Sequence, residues 1–550
     1  MLISAPHTPD PSLTARLQIV NIERAQNVLY FKACAEENHL LACLCTGDRC
    51  VTNEESSDCG KLFWTTMNVP PPICLTFDVK VPELQRARIS YAFRVFSAIY
   101  NYRVVNDNAE EAAIRIEYGE KASSVSRSRC FHIPALYRAR SLQDPPNKPL
   151  NLRYSDEDVF LFYGIDGVSG KPDWLGEIFE WISSIHESSV TNRDSAGRIP
   201  SRYFFETFGI SPRKPHATLL MAWMENALKN GHNKEALSKA PSPIAGAEHI
   251  VVCSQDVDFY NVDKFSAGFR LIKNMAIAVR PYRSWSFLHS NSNLFLDLLR
   301  GRRVGDYLPE LLARMERHEL QSTIFMVARQ GHRRDPNYRL QALAPYLSEV
   351  SKQGSSVALH SSYTSIVEDG TLIPELQAFE KATGKKPMGN RQHWLRFDDH
   401  KKLFDAVEGA GLSFDSSLGF TEIVGFRNGA SFAFPPYDFE GERPYHFLEI
   451  PLVVMDVNLE AESRKQKKDA QGLADEVLGE SRKWSWGGIS VLWHNPIEHL
   501  QVPKEINQVF WNCAPRPQSG EKWMSGEHFV NQCLSRYQNA GLLEGVQTSA

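Results

Sequence analysis

The run VVCSQDVDFY, residues 251–260, ends a stretch of small and β-branched residues on two acids, Asp256 and Asp258, with a single valine between them. Three more strand-like segments end in comparable chemistry: SVALHSSY carries His360, NRQHWLRF carries Arg391 and His393, and GISVLWHN carries His494. Carboxylate and imidazole together suit a borderline divalent ion such as zinc. A second carboxylate nearby can take a proton from water, and an opposing histidine can protonate a leaving group. Each residue alone has a plainer reading, because an Asp after a strand usually caps a turn or helix and a lone His is usually structural. Their joint placement at successive strand ends is what argues for a site.

The elements that must position them follow a regular rhythm. After HIVVC come helical segments at SNLFLDLLRG and YLPELLARMERHEL, a strand STIFMVA, a helix YRLQALAPYLSEVSKQG and the strand with His360. A helix IPELQAFEKATG, the strand with Arg391, a helix HKKLFDAVEGAG and a strand SFDSSLGF continue the pattern. FLEIPLVVMD, a long charged helix, the strand with His494 and a last helix near GEHFVNQCLSRYQNAG complete it. Strands alternating with helices of about ten to fifteen residues imply an α/β domain with a mostly parallel sheet. In such sheets and barrels, chemistry gathers at the C-terminal strand ends. If the strands are parallel and closed, the six side chains converge on one rim.

At 550 residues the chain is too long for one core, so two or three domains are expected. Residues 1–80 form an N-terminal segment and 81–240 an accessory α/β domain. In the latter, Trp174, Ile178, Trp181 and Ile185 fall at helical spacing. The Pro/Ala/Ser/Gly-rich LSKAPSPIAGAEH reads as a linker, the catalytic domain spans 246–510, and 511–550 forms a C-terminal helix and tail. With 42% apolar and 23% charged residues and a net charge of −4, the composition is that of a soluble globular protein and gives no sign of nucleic-acid binding. No apolar run is long enough to span a membrane, and the start MLISAPHTPDPSL lacks a secretory pattern, so a cytoplasmic location is expected. Five of the ten cysteines crowd into residues 34–59, but without paired C-x-x-C knuckles free thiols are the simpler reading. LTFDVK at 75–80 imitates the Asp256/Asp258 pattern but has Lys80 in place of the second acid. No G-x-S-x-G elbow is present to suggest a serine hydrolase.

Over residues 249–505 the chain resembles the polysaccharide deacetylases with a NodB-homology domain (carbohydrate esterase family four). QDVDFY resembles the family's first motif, TIFMVA its buried T-F-F strand, LHSSYTS its second motif, RQHWLRF its third and SVLWHN its last. The match is closer to a branch reading roughly HDVD, HPSY, RQHYLRF, DSTLGF, GFRAG and WHN, which tends to carry an N-terminal companion domain. Here the same order reads QDVD, HSSY, RQHWLRF, DSSLGF, GFRNG and WHN. Six short matches in order are specific, although each alone is weak.

The resemblance implies a distorted (β/α) barrel of about seven strands preceded by an N-terminal α+β accessory region. It implies metal-assisted removal of an N-acetyl group from an amino sugar or related glycan. Asp258 and His360 would hold the ion, Asp256 would act as base oriented by Arg391, and His494 would act as acid. A backbone N–H near Trp394 would help hold the oxyanion. Asp415 and Arg427 would line the pocket, and Trp394 and Trp493 would meet the sugar. Two departures matter. Thr364 stands where the family has its second metal histidine, which makes His393 the candidate third ligand, and Gln255 stands where the branch often has His. They keep two rivals in play: an amide hydrolase acting on a small acylated nitrogen compound, and a carbohydrate-binding pseudoenzyme.

Overall fold

The computed structural model describes the backbone of residues 19–24, 27–36, 39–46 and 49–50. From residue 70 onward it describes all but 107–111, 121–129, 155, 231–238, 259–298, 301–307, 337, 496–503, 515–519 and 547–550. The chain divides into two compact units, residues 1–70 and 71–550. In the first, the strands Ile19–Arg24, Asn27–Glu36, His39–Thr46 and Arg49–Cys50 form an antiparallel sheet in sequence order. The side chains of its crowded cysteines lie outside the described residues, as does the segment expected as the helix SNLFLDLLRG, except for its last residues.

The second unit is built on a parallel sheet of nine strands. In chain order they are β1 (His249–Val257), β2 (Thr323–Met326), β3 (Ser356–Ser361), β4 (Gly389–Gln392), β5 (Phe414–Asp415), β6 (Leu448–Glu449), β7 (Leu452–Met455), β8 (Gly487–Asn495) and β9 (Glu521–Met524). The ladder runs β6-β5-β4-β3-β2-β1-β8-β7, and β9 pairs with the first half of β1. Every residue of β1 is buried, as expected of a central parallel strand covered on both faces. The two ends of the ladder, β6 and β7, are separated in the chain only by Ile450 and Pro451. The Ile450 amide donates to the Asp415 carbonyl on one side, and the Pro451 carbonyl accepts from Ser490 on the other. The sheet therefore curls into a barrel-like shape, seven strands around if Leu448–Met455 counts as one. Among the described residues no helix is long and apolar enough to cross a membrane.

The accessory segment has its own parallel sheet, ordered Arg103–Val104, Pro72–Phe77, Ile114–Gly119 and Cys130–Pro134. Against it pack the helices Glu83–Tyr100 and Trp174–Ile182, the second opened by Asp173, whose carboxylate accepts from the Gly176 amide. The helical spacing read from the sequence is a core face, since Trp174, Ile178, Trp181 and Ile185 are all buried. One apolar cluster runs through both segments, from Ile73, Phe96 and Trp181 to Ile250, Phe414 and Phe447. Residues 71–240 and the barrel thus belong to the same compact unit. The Pro-rich stretch near 241 is not a loose tether, because Arg536 donates to the carbonyls of Pro241 and Ser242. Residues 511–550 carry the expected helix, Gly526–Asn539, which packs on Glu83–Tyr100, and also β9, which joins the sheet.

Candidate functional site

Parallel register brings the chemistry together. Asp256 pairs across the ladder with His494, and His360 pairs with Arg391, so four strands deliver their polar residues to the same C-terminal rim. His360 Nε2 lies 3.5 Å from an oxygen of each of Asp256 and Asp258. His393 Nε2 is 3.7 Å from Asp258, and His494 Nε2 is 3.8 Å from it. Asp258, His360 and His393 each offer one ligand atom, all within 4.8 Å of one another, and the group could hold a metal ion.

These spacings are too long for good hydrogen bonds. They match what a shared cation requires, because tetrahedral coordination at about 2.0–2.2 Å sets ligand atoms about 3.4 Å apart. Asp258 Oδ1 and His360 Nε2 are buried and have no hydrogen-bond partner, an expensive condition unless something else binds there. The histidines are also prepared as ligands. His360 Nδ1 is 2.9 Å from the Arg391 carbonyl oxygen, which can only accept, so a neutral His360 presents the Nε2 lone pair inward. His393 Nδ1 donates to Asp335 at 3.2 Å. Burial pulls His393 down, but Asp258 and Asp335 outweigh it and lift its pKa to about 9. Asp258 is held well below the usual carboxylate range despite its burial, by His393, His360 and His494. The site has a field that favours positive charge.

On one flank, Arg391 is fully buried with its guanidinium 3.4 Å from Asp256. It also donates to the Ser254, Ser416 and Ser490 hydroxyls and the Ser416 carbonyl, and it lies 4.4 Å from the Phe325 ring centroid. This fixed cation orients the Asp256 carboxylate. On the other flank, His494 Nδ1 donates to Asp456 at 2.8 Å, and the His494 amide donates to the same carboxylate at 2.9 Å. Burial opposes protonation of His494, yet Asp456 and Asp258 raise its pKa to about 10.

Thr364 is not part of the ligand group, and His393 occupies the third place. Gln255 lies one residue from Asp256, so strand alternation turns it to the opposite face, the side of Cys253 and Trp493, where its Nε2 has no partner. Trp394 fits a binding role: it is 44% exposed, its backbone is left-handed at φ 65°, and its ring centroid lies 6.3 Å from that of His393. For an ordinary side chain this conformation is uncommon and costs energy.

Three expected pocket residues have other work. Arg427 is buried, with its guanidinium on Glu187 at 2.9–3.1 Å and on the Gly419 carbonyl. Asp415 is buried and accepts from Asn390, the Ser417 hydroxyl and the Ser417 amide. Trp493 belongs to the second core cluster, its ring 5.0 Å from Phe510, on the face of β8 away from His494. Sequence reasoning missed Asp335 and Asp456, which orient His393 and His494. The run VVMD at the end of β7 was the available signal for Asp456, while Asp335 lies in a loop with no such pattern. No protein-family model matches the chain, and comparison with curated proteins also finds no match.

Proposed function

We propose that this chain is a zinc-dependent amide hydrolase that removes an N-acyl group from an amino sugar or related glycan, on a barrel of the polysaccharide deacetylase kind, acting in the cytoplasm. The observation that carries the reading is the triple coincidence at one rim. A three-ligand set lies between a carboxylate paired with a buried arginine and a histidine paired with a buried carboxylate. Asp258, His360 and His393 would hold the ion, which supplies Lewis-acid polarisation of the amide carbonyl and makes water easier to deprotonate. Asp256 takes the proton from the attacking water while Arg391 holds it in place. His494, kept protonated by Asp456, gives its proton to the departing nitrogen, so that amide and water become amine and carboxylate. Trp394 offers an exposed ring for the apolar face of a sugar.

A second reading, a hydrolase for a small acylated nitrogen compound, draws support from the accessory segment's reach toward the rim. Arg198 donates to the Trp394 carbonyl and Arg193 to the Asp398 carbonyl. The test is acetate release by zinc-loaded protein from N-acetylglucosamine oligomers and from small N-acetylated amines. Asp256→Asn and His494→Ala should each lower turnover by about 10²–10⁴-fold with metal content retained. Unchanged acetate release in Asp256→Asn would overturn the mechanism.

A further inference from the structure

One residue before Asp335, the carboxylate that holds His393, the chain presents an arginine on an aromatic shelf. The Arg334 guanidinium carbon is 4.7 Å from the Trp394 ring centroid and 4.8 Å from that of Tyr363. Those two rings meet edge to face at 5.9 Å. Arg334 donates to the Tyr363 hydroxyl; the His332 ring stacks on Tyr363 at 4.7 Å, and the Arg396 guanidinium carbon lies 4.1 Å from the same ring centroid.

The charge at this shelf is unbalanced. Neighbouring arginines are matched: Arg396 with Glu368 at 3.1 Å, Arg329 with Asp369 at 3.9 Å and Arg198 with Asp194 at 2.7 Å. Arg334 has no carboxylate partner among the described residues. Asp335, its nearest acid in sequence, is committed to His393 and to the amides of Gly331, His332 and Tyr363. Among the described residues only one side-chain nitrogen of Arg334 bonds, to Tyr363. A guanidinium steadied by aromatic rings loses little freedom when it binds, and its planar fork suits two oxygens of one anion. The shelf starts one residue from a metal ligand, because Trp394 follows His393 directly.

We propose that Arg334, backed by Trp394 and Tyr363, receives an anionic substituent of the substrate, a carboxylate or a phosphate, whose N-acyl group lies at the Asp258–His360–His393 set. This rests on the amide-hydrolase reading and narrows its substrate to acidic N-acyl compounds. Two chemical sources fit the same fork, a carboxylic acid ether on the sugar or a phosphate ester.

The experiment compares N-acetylglucosamine, its 6-phosphate and N-acetylmuramic acid on the zinc-loaded full-length protein. Affinity is measured calorimetrically and acetate release is followed in parallel. At least one anionic probe is expected to bind about ten-fold or more tightly than the neutral sugar, and which one identifies the source. Arg334→Gln should reduce that gap to less than about two-fold, and Arg334→Lys, which keeps the charge without the fork, should retain part of it. Equal affinities, no binding by any probe, or a gap that survives in Arg334→Gln would overturn the proposal. Acetate release from the neutral sugar without an affinity gap removes the shelf and keeps the hydrolase. A gap that depends on Arg334, with no acetate from any probe, supports the shelf and removes the hydrolase.

Discussion

Two buried clusters in this protein use the same residue types and behave in opposite ways. In the first, Arg427 meets Glu187 at 2.9 Å and His400 stands 3.3 Å from it. In the second, Asp258 stands 3.5 Å from His360 and 3.7 Å from His393, with buried polar atoms on Asp258 and His360 left without partners. In the first cluster Arg427 donates to both Glu187 oxygens and joins the accessory segment to the barrel loops. The second has charge and lone pairs directed at a common point. Residue type and burial do not separate the two clusters; spacing does, since the opposite charges meet at hydrogen-bond distance in the first and stand beyond it in the second.

The largest expected effect falls on the open cluster alone. Protein purified without chelator should carry close to about one divalent ion per chain, and His360→Ala or His393→Ala should lose nearly all of it. Metal analysis checks this, and ion retained in both variants would leave the two clusters alike. Glu187→Gln should leave metal content unchanged but cost about 3–5 kcal/mol of stability in denaturant melts, because it strands the buried Arg427. That cost depends on pH in a defined direction. Against the cost of burial, Arg427 and His400 hold the Glu187 carboxyl well below its ordinary value of 4.5. The stabilisation is thus complete above about 4.5 and is lost as pH falls through the depressed folded-state value. The gap between parent and variant should shrink in acid, and a gap that grew there would reverse the assignment.

A smaller effect is expected one step out from the ligands. Asp335→Ala removes the acceptor that fixes His393 and should weaken metal binding by about 10–100-fold, measured by competition with a chelator. Smallest of all, Thr364→Val should change metal affinity by less than about two-fold, since a hydroxyl is a poor zinc ligand and Thr364 lies outside the ligand group. A large loss there would bring Thr364 back into the site.

Much of the site could be read from the sequence because each parallel strand carries its polar residue at its C-terminal end, where the chain must leave the core. Asp256, His360, Arg391 and His494 are legible for that reason. Asp415 and Arg427 were misread because motif position locates a residue on the rim without saying whether its side chain faces a ligand or another loop. Trp493 was misread because strand alternation sends it outward while its neighbour His494 turns in. Asp335 could not be found at all, since a loop residue's partner 58 positions away leaves no periodic trace. The linker expected near residue 241 failed for a related reason: composition reports that a segment is irregular, not that a helix from the far C-terminus will bind its carbonyls.

The closing seam of the sheet also bears on how the molecule folds. β1 pairs with β8 roughly 240 residues further along, whereas β2 to β5 pair with strands close by in sequence. Loop-closure entropy makes the distant pairing slow to form, so the ring should close late. Asp256 and His494 face each other only across that last pairing, and the segment that completes the circle ends at Asp456, the residue that holds His494. Asp256 and His494 therefore come into position in the same late event, and a partly folded chain can carry the His360 and Arg391 strands before the rim is assembled.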